Sequence, residues 1–159
     1  MIEISLRKAK LDDLEMYMKY YHDYDAQFLY SNHDLDDDEE SAKKTMFELG
    51  ITVEPEDDEL VMASYKSSLK DIYFINVNQC MVGYIKTEKS RGSLTIRDMT
   101  ISDYSILNER QLLKLFHELF NITKTDNIII YYCMPSNKKM LQRIGFEDHG
   151  GHLKKVAGV

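Results

Sequence analysis

The apolar positions near the start of the chain change their period within about twenty residues. Residues 2–6 alternate between apolar and polar side chains, which is typical of a short strand with one buried face. From Leu11 the apolar residues recur at helical spacing, and Asp12 or Asp13 can cap the helix that this spacing predicts. We expect that helix to end within residues 22–25.

The following stretch, up to residue 71, favours helices over strands. Residues 24–33 show no clear period and are predicted as a loop or short helix. A second helix is predicted from Glu39 to Leu49, because Gly50 follows as a natural C-terminal stop. The spacing of apolar residues within 54–71 allows a third helix, although the period is imperfect.

After residue 71 the pattern becomes typical of strands. Ile72–Val77 is rich in β-branched and aromatic residues, and Cys80–Thr87 resumes this composition after the turn residues Asn78 and Gln79. These two segments predict a hairpin. Ser93–Ile101 continues it as a third strand, so we expect an antiparallel meander.

The last third of the chain combines two helices with a strongly apolar strand. The clearest helix runs from about Asn108 to Phe120, with a wide apolar face. Ile128–Tyr132 is almost entirely apolar, as expected for a central strand buried on both faces. This order predicts a parallel crossover between the third strand of the meander and this strand. A short helix over 137–144 follows and ends at Gly145, and Phe146 begins a final strand or hairpin.

The predicted fold is therefore α/β (α+β): a mixed sheet with an antiparallel meander, a helical crossover and flanking helices. Where two neighbouring strands diverge, backbone groups and a helix N-terminus can face the same ligand. We expect the functional site at the mouth between the strand ending at Ile101 and the strand ending at Tyr132, close to Asn108.

Composition limits the class of protein. The length of 159 residues fits one domain, and 43% hydrophobic residues are enough for a core. The 27 acidic against 20 basic residues give a net charge of −7, which argues against a nucleic-acid partner. Two cysteines, Cys80 and Cys133, are too few for a disulfide framework or a four-cysteine zinc site, and the histidines lack metal-ligand spacing. With no apolar run of signal-peptide or membrane-spanning length, we expect a soluble cytoplasmic protein.

The charge is divided unevenly along the chain. Residues 1–70 contain 18 acids and 8 bases, a net charge of −10, whereas residues 71–159 contain 9 acids and 12 bases, a net charge of +3. Much of the negative charge lies in the runs 34–40 and 54–59. These runs are either solvated loops and helix starts or an electrostatic attraction for a cationic substrate.

Several phrases, in this order, resemble the GNAT superfamily of N-acetyltransferases over essentially the whole chain. IEISLRKAKLDDLE is similar to the first strand and helix of that family, and IYFINVNQCMVGYIK to its hairpin, including Val82-Gly83-Tyr84. LTIRDMTI resembles the fourth strand, and SNKKMLQRIGFEDHG resembles the late helix closed by Gly145-Phe146.

The resemblance implies acetyl-CoA as co-substrate and transfer of an acyl group to a primary amine of a cationic small molecule or peptide, by direct attack. The pantetheine arm would pair with the fourth strand, and the pyrophosphate would lie on amides at the N-terminus of the next helix. The family usually carries glycines in the preceding loop, whereas this chain has other residues at the aligned positions. The positions that the resemblance assigns to the donor are Met99, Thr100, Ile101, Ile106, Glu109, Gln111 and Asn137.

The resemblance also implies the catalytic residues. Asp98 matches an acidic position that serves some members as the base for the amine, and the alternative is an exposed strand residue paired with Arg97 or with a cross-strand base. The tyrosine that protonates the leaving thiolate in many members aligns with Leu141, which cannot donate a proton. Tyr131 or Tyr132 could replace it, and we favour Tyr132, with packing as the alternative role for both.

A second function is compatible with the same residues. The missing glycines and the missing tyrosine are also expected for a GNAT-fold binding or regulatory module that has lost catalysis. A homodimer is an expected partner arrangement in either case, because such folds often expose sheet edges.

Overall fold

The computed structural model describes residues 2–23, 58–102, 108–131 and 135–158. Seven strands lie in these ranges: β1 (Ile4–Lys8), β2 (Ile72–Val77), β3 (Cys80–Ser90), β4 (Ser93–Ile101), β5 (Asn127–Ile130), β6 (Glu147–Asp148) and β7 (Leu153–Val156). The α-helices within them are α1 (Leu14–Tyr21), α2 (Asp58–Ser67), α3 (Glu109–Thr123) and α4 (Pro135–Arg143). Single 3-10 turns, Leu11–Asp13 and Leu69–Asp71, precede α1 and β2.

The strands form one mixed sheet in the order β1-β2-β3-β4-β5-β7-β6. Every neighbouring pair is antiparallel except β4 and β5, which are parallel. The chain passes from β4 to β5 through α3, so the predicted helical crossover is confirmed, together with the meander of β2, β3 and β4.

Most predicted elements are present, with shifted ends. β4 has the predicted bounds, whereas β1 begins at Ile4 rather than at residue 2. The central strand ends at Ile130 rather than Tyr132, because Ile130 is buried and the next side chain, Tyr131, is 60% exposed. The prediction that this strand is buried on both faces was therefore too broad. The predicted helix over 39–49, the stretch 24–33 and the acidic runs up to residue 57 lie outside the described residues.

The two faces of the sheet carry two separate cores. One face packs against α3 and α4, with Leu115, Phe116 and Leu141 completely buried. The other face packs against α1 and α2, and its core is built largely from aromatic side chains. These are Tyr17, Tyr20, Tyr65, Phe74 and Tyr84, with Ala9, Val61 and Ile72. Hydroxyl groups in an apolar core need hydrogen-bond partners, so this second face is the one that can support polar chemistry.

A paired arginine and aspartate join the start of α1 to the sheet. The Arg7 guanidinium on β1 donates to both carboxylate oxygens of Asp13, at 2.9 and 3.0 Å, and lies over the Phe74 ring. The Lys10 backbone N–H also donates to Asp13, at 2.9 Å. This contact fixes α1 against the face that carries the aromatic core. Within the described ranges, no helix combines the length and apolar character needed to cross a bilayer.

Candidate functional site

The parallel strands β4 and β5 are paired only at their beginning. Residues 93–95 of β4 lie opposite 127–129 of β5, but β4 continues for six more residues, to Ile101. In the part of the chain that the structure describes, no sheet partner faces residues 96–101 on the β5 side. Among the described residues, their backbone N–H and C=O groups on that side therefore have no strand to pair with, at the mouth that the sequence predicts.

The N-terminus of α3 provides backbone donors near the same end of β4. The Asn108 side chain accepts a hydrogen bond from the Gln111 backbone N–H at 2.9 Å, and the Gln111 side chain accepts one from the Asn108 backbone N–H at 2.8 Å. This capping box leaves the amides of Glu109 and Arg110 without a partner inside the helix. Together with the helix dipole, these amides favour an anion.

The negative side chain in the first turn of α3 is paired. Glu109 forms an ion pair with Arg143, which lies in the last turn of α4, and both side chains are about half exposed. The pair reduces the repulsion that a lone carboxylate would exert on an anion at this helix start. Asn137 lies in the first half of α4 and is half-buried, while Ile106 lies outside the described residues.

Asp98 lies on β4 with its carboxylate in the aromatic core. A bulge between β3 and β4 places it opposite Lys86 and next to Tyr84. The Tyr84 hydroxyl donates to Asp98 Oδ2 at 2.5 Å, while Oδ1 is buried and has no hydrogen-bond partner among the described residues. Thr100, two residues further along β4, is also fully buried with an unpartnered hydroxyl oxygen in the same described set. Two unpartnered oxygens on one strand favour a ligand with hydrogen-bond donors.

Burial dominates the titration of Asp98. Its pKa is raised above the ordinary 3.8 because desolvation disfavours the carboxylate, although the Tyr84 hydrogen bond and the nearby charge of Lys86 act in the opposite direction. The Lys86 ammonium is held by Ser64 Oγ on α2 at 3.2 Å. A buried carboxylate with a raised pKa is suited to accept a proton from a substrate.

Two further tyrosines surround Tyr84 and had no assigned role in the sequence. The ring of Tyr17 lies 4.6 Å from those of both Tyr65 and Tyr84. Desolvation raises the pKa of Tyr84 well above its usual value. These hydroxyls therefore act as hydrogen-bond donors rather than phenolates. The sequence does carry a signal for them, since these tyrosines occupy apolar positions of three elements, α1, α2 and β3, although each has a polar hydroxyl.

The alternative predicted for Asp98, an exposed strand residue paired with Arg97 or a cross-strand base, agrees with the structure in one part, because Lys86 lies opposite it on β3 and its charge acts to lower the Asp98 pKa. Arg97 pairs with Glu88 at 2.5 Å on the outer surface, while the Asp98 carboxylate is buried. Tyr131 lies at the exposed end of β5 against the ring of His152. Tyr132 and its neighbour Cys133 lie outside the described residues, so the role of Tyr132 as proton donor stays a prediction.

Comparisons with known proteins identify the fold. No protein-family model matches the sequence, and no curated protein matches it. Among solved structures, the chain is similar to an acetyltransferase of the GNAT family from Bacillus anthracis, at 14% identity, with 98% of both chains covered and a TM-score of 0.60.

Two further structures have names that mention ligands or substrates. One is a spermidine N-acetyltransferase chimera of Vibrio cholerae SpeG and hSSAT, at 11% identity, covering 96% of this chain and 95% of that one, with a TM-score of 0.61. The other is AAC(6')-Ib in complex with ribostamycin and coenzyme A, at 16% identity, covering 98% and 94%, with a TM-score of 0.58. The chain therefore has the GNAT fold that its sequence phrases implied.

Proposed function

We propose that this chain is an acetyl-CoA-dependent N-acetyltransferase that acts on a primary amine of a cationic small molecule or peptide. The observation that supports the proposal is the carboxylate of Asp98 on β4. Its buried Oδ1 has no hydrogen-bond partner among the described residues, and the described part of β5 pairs only with residues 93–95 of the same strand. The names of similar structures, which include a spermidine N-acetyltransferase and a complex with ribostamycin and coenzyme A, support amine acylation as the reaction class.

The described residues fit the acyl donor in two respects. The open backbone edge at Met99, Thr100 and Ile101 offers N–H and C=O groups to the amides of a pantetheine arm. The amides at the start of α3, beginning at Glu109, suit the diphosphate without requiring particular side chains. Gln111 would contribute through the cap rather than through its own amide, which Asn108 already engages. When bound, acetyl-CoA supplies a thioester, whose acyl carbon is open to attack by an amine.

Asp98 would act on the acceptor amine. Among the described residues Asp98 Oδ1 has no hydrogen-bond partner, so it can accept a hydrogen bond from the acceptor nitrogen. An ammonium nitrogen has no lone pair, so the reacting nitrogen first loses one proton to water. As the neutral amine then bonds to the acyl carbon and the carbon–sulfur bond breaks, Asp98 takes the second proton from the nitrogen. We propose Tyr132 as the group that returns a proton to the thiolate leaving group.

The test is release of free thiol from acetyl-CoA in the presence of spermidine, ribostamycin or a lysine-containing peptide. We expect turnover with at least one amine, and Asp98→Asn should lower kcat/KM by about 10²- to 10⁴-fold, the usual contribution of a general base. Asn is isosteric and can still accept from Tyr84, so the fold should survive. Glu88→Gln removes an exposed carboxylate from the same strand pair and serves as the control that keeps full activity.

Two other outcomes would change the proposed function or the role of Asp98. If calorimetry detects binding of acetyl-CoA but none of the amines is acetylated, the chain is better described as a binding module with the GNAT fold. Equal activity of Asp98→Asn and the unchanged protein would remove Asp98 from the mechanism.

A further inference from the structure

We propose that Tyr84 is a positioning residue for Asp98, and that the ring of Tyr17 on α1, packed against Tyr84, keeps that tyrosine in place. This inference rests on the proposed function, because the orientation matters only if Asp98 receives the amine. It assigns a role to the tyrosine of the Val82-Gly83-Tyr84 phrase and to a helix tyrosine that the proposed reaction does not otherwise use.

The direction of the hydrogen bond between Tyr84 and Asp98 follows from the number of protons. A tyrosine hydroxyl has one proton and can also accept, whereas a carboxylate can only accept. The proton of Tyr84 therefore goes to Asp98 Oδ2, across 2.5 Å, a length typical of a charge-assisted O–H···O bond. The ring of Tyr17 lies 4.6 Å from the ring of Tyr84 and covers it from the side of α1.

The hydrogen bond from Tyr84 makes the two carboxylate oxygens of Asp98 different, because only Oδ2 accepts it. Oδ2 is tied to Tyr84, so the carboxylate cannot rotate about its last bond without losing a strong hydrogen bond. Oδ1 is the atom left for the acceptor. A fixed carboxylate oxygen is what an attacking amine requires, because poorly aligned reacting groups lose much of the advantage of proximity.

Packing prevents Tyr84 from moving away. Its side chain is completely buried, the Phe74 ring meets its edge at 6.5 Å, and the Tyr17 ring covers it at 4.6 Å. The groups that face the Asp98 carboxylate from neighbouring elements are Tyr84 and Lys86 from β3 and Tyr17 from α1. Of these, Tyr84 has the direct contact.

The experiment compares Tyr84→Phe and Tyr17→Leu with the control Tyr20→Phe. Tyr20 lies on the same helix as Tyr17 and is also buried, but its hydroxyl donates to the Met81 backbone oxygen at 3.0 Å and not to Asp98. For each protein, kcat/KM for one amine is measured against pH, and the Asp98 carboxyl carbon is titrated by ¹³C NMR. Thermal unfolding is recorded in parallel.

We expect Tyr84→Phe to move the acid limb of kcat/KM, and the NMR titration of Asp98, to higher pH by about one unit or more, because the hydrogen bond that stabilises the carboxylate is gone. The value of kcat/KM on the plateau should also fall by about 10- to 100-fold through loss of alignment. Tyr17→Leu removes the ring that covers Tyr84 and should shift both quantities in the same direction by less. Tyr20→Phe should lose thermal stability without any shift of the limb.

The inference is overturned if Tyr84→Phe leaves the Asp98 titration unchanged, or if Tyr20→Phe shifts it equally. If Tyr84→Phe does not fold, the smaller shift of Tyr17→Leu decides the question in the same way. An unchanged protein that acetylates none of the amines refutes the proposed function instead. Turnover by the unchanged protein, with Tyr84→Phe behaving like Tyr20→Phe, refutes only the role of Tyr84.

Discussion

Replacing Gly83 by alanine should disturb the contact between β3 and β4 at the candidate site. A Cβ atom at this position would lie 1.9 Å from the Thr100 carbonyl oxygen, 2.8 Å from its carbon and 3.1 Å from the Ile101 Cα. All three neighbours are backbone atoms of β4, so no side chain can turn away to make room. Gly83 does not have a positive φ, and lack of space is therefore the only cost of the substitution.

The size of the effect follows from the required displacement. Real Cβ contacts essentially never fall below 3.0 Å, so the two strands must separate by about 1.1 Å at Thr100. Overpacking of this kind costs about 1–3 kcal/mol, and sometimes more. For a chain of this length, each kcal/mol lowers Tm by about 2–4 °C, which gives an expected loss of about 2–12 °C. The open edge of β4 would shift too, so acetyl-transfer activity should fall.

Differential scanning calorimetry of Gly83→Ala and Gly151→Ala checks this reasoning. Gly151 has no atom within 4 Å of its added Cβ and no positive φ, so alanine there produces only the small stabilisation that comes from a less flexible unfolded chain. If Gly83→Ala melts at or above the temperature of Gly151→Ala, β3 and β4 do not approach as closely as described.

Three smaller changes test the parts around the site. Asn108→Ala removes the cap of α3 and should cost about 1 kcal/mol in urea unfolding, within the range of about 0.5–2 kcal/mol for such caps. Glu109→Gln should tighten acetyl-CoA binding by about two- to fivefold in calorimetry, since a negative charge near the diphosphate disappears and Arg143 is released; the gain should shrink at high salt. Asp13→Asn should be less stable than the unchanged protein near neutral pH. Arg7 holds the Asp13 pKa below 3.8, so this difference is complete above 3.8 and should vanish as pH falls through the lowered value, measured by urea unfolding at several pH values.

The sequence predicted the order of elements well because each change of hydrophobic period is local. The meander of β2, β3 and β4 and the crossover helix could be read directly, and β4 was bounded correctly by turn residues on one side. The end of β5 could not be read from the sequence, because Ile130 and Tyr131 both continue the apolar pattern. Which of them is buried depends on the neighbouring hairpin at His152, a contact that no local pattern reports.

The candidate site was predicted only in part. Asp98 was identified through resemblance, but its partner Tyr84 was not, because a hydrogen bond between β3 and β4 depends on register as well as composition. The contact of Tyr17 with the site is harder still to predict from the sequence, because it forms only when α1 packs on the sheet. Contacts between separate elements depend on tertiary packing, and a list of residues predicted from local patterns does not contain them.

A single irregularity in β4 explains why Asp98 faces the tyrosines. Side chains alternate along a strand, so Leu94 and Ile96 would share their face with residues 98 and 100 if the alternation continued. Instead Met99 and Ile101 lie on that face, in the core under α3. The pairing of β3 with β4 skips one residue at Arg97, where a bulge occurs between Lys86 and Thr87 on the partner strand.

The bulge exchanges the two faces of the sheet on which the side chains in the second half of β4 lie. A shift of one residue moves every later side chain to the opposite face, which brings Asp98 and Thr100 towards Tyr84 and α1 rather than into the apolar core. The signal is present in the sequence, since the apolar residues of LTIRDMTI are spaced by two, three and two positions instead of strictly two. A strand without the extra residue would place a carboxylate among Leu115 and Phe116, where nothing in the described core could pair with it. The same bulge therefore accommodates a carboxylate in this sheet and brings it to the face that carries the tyrosines.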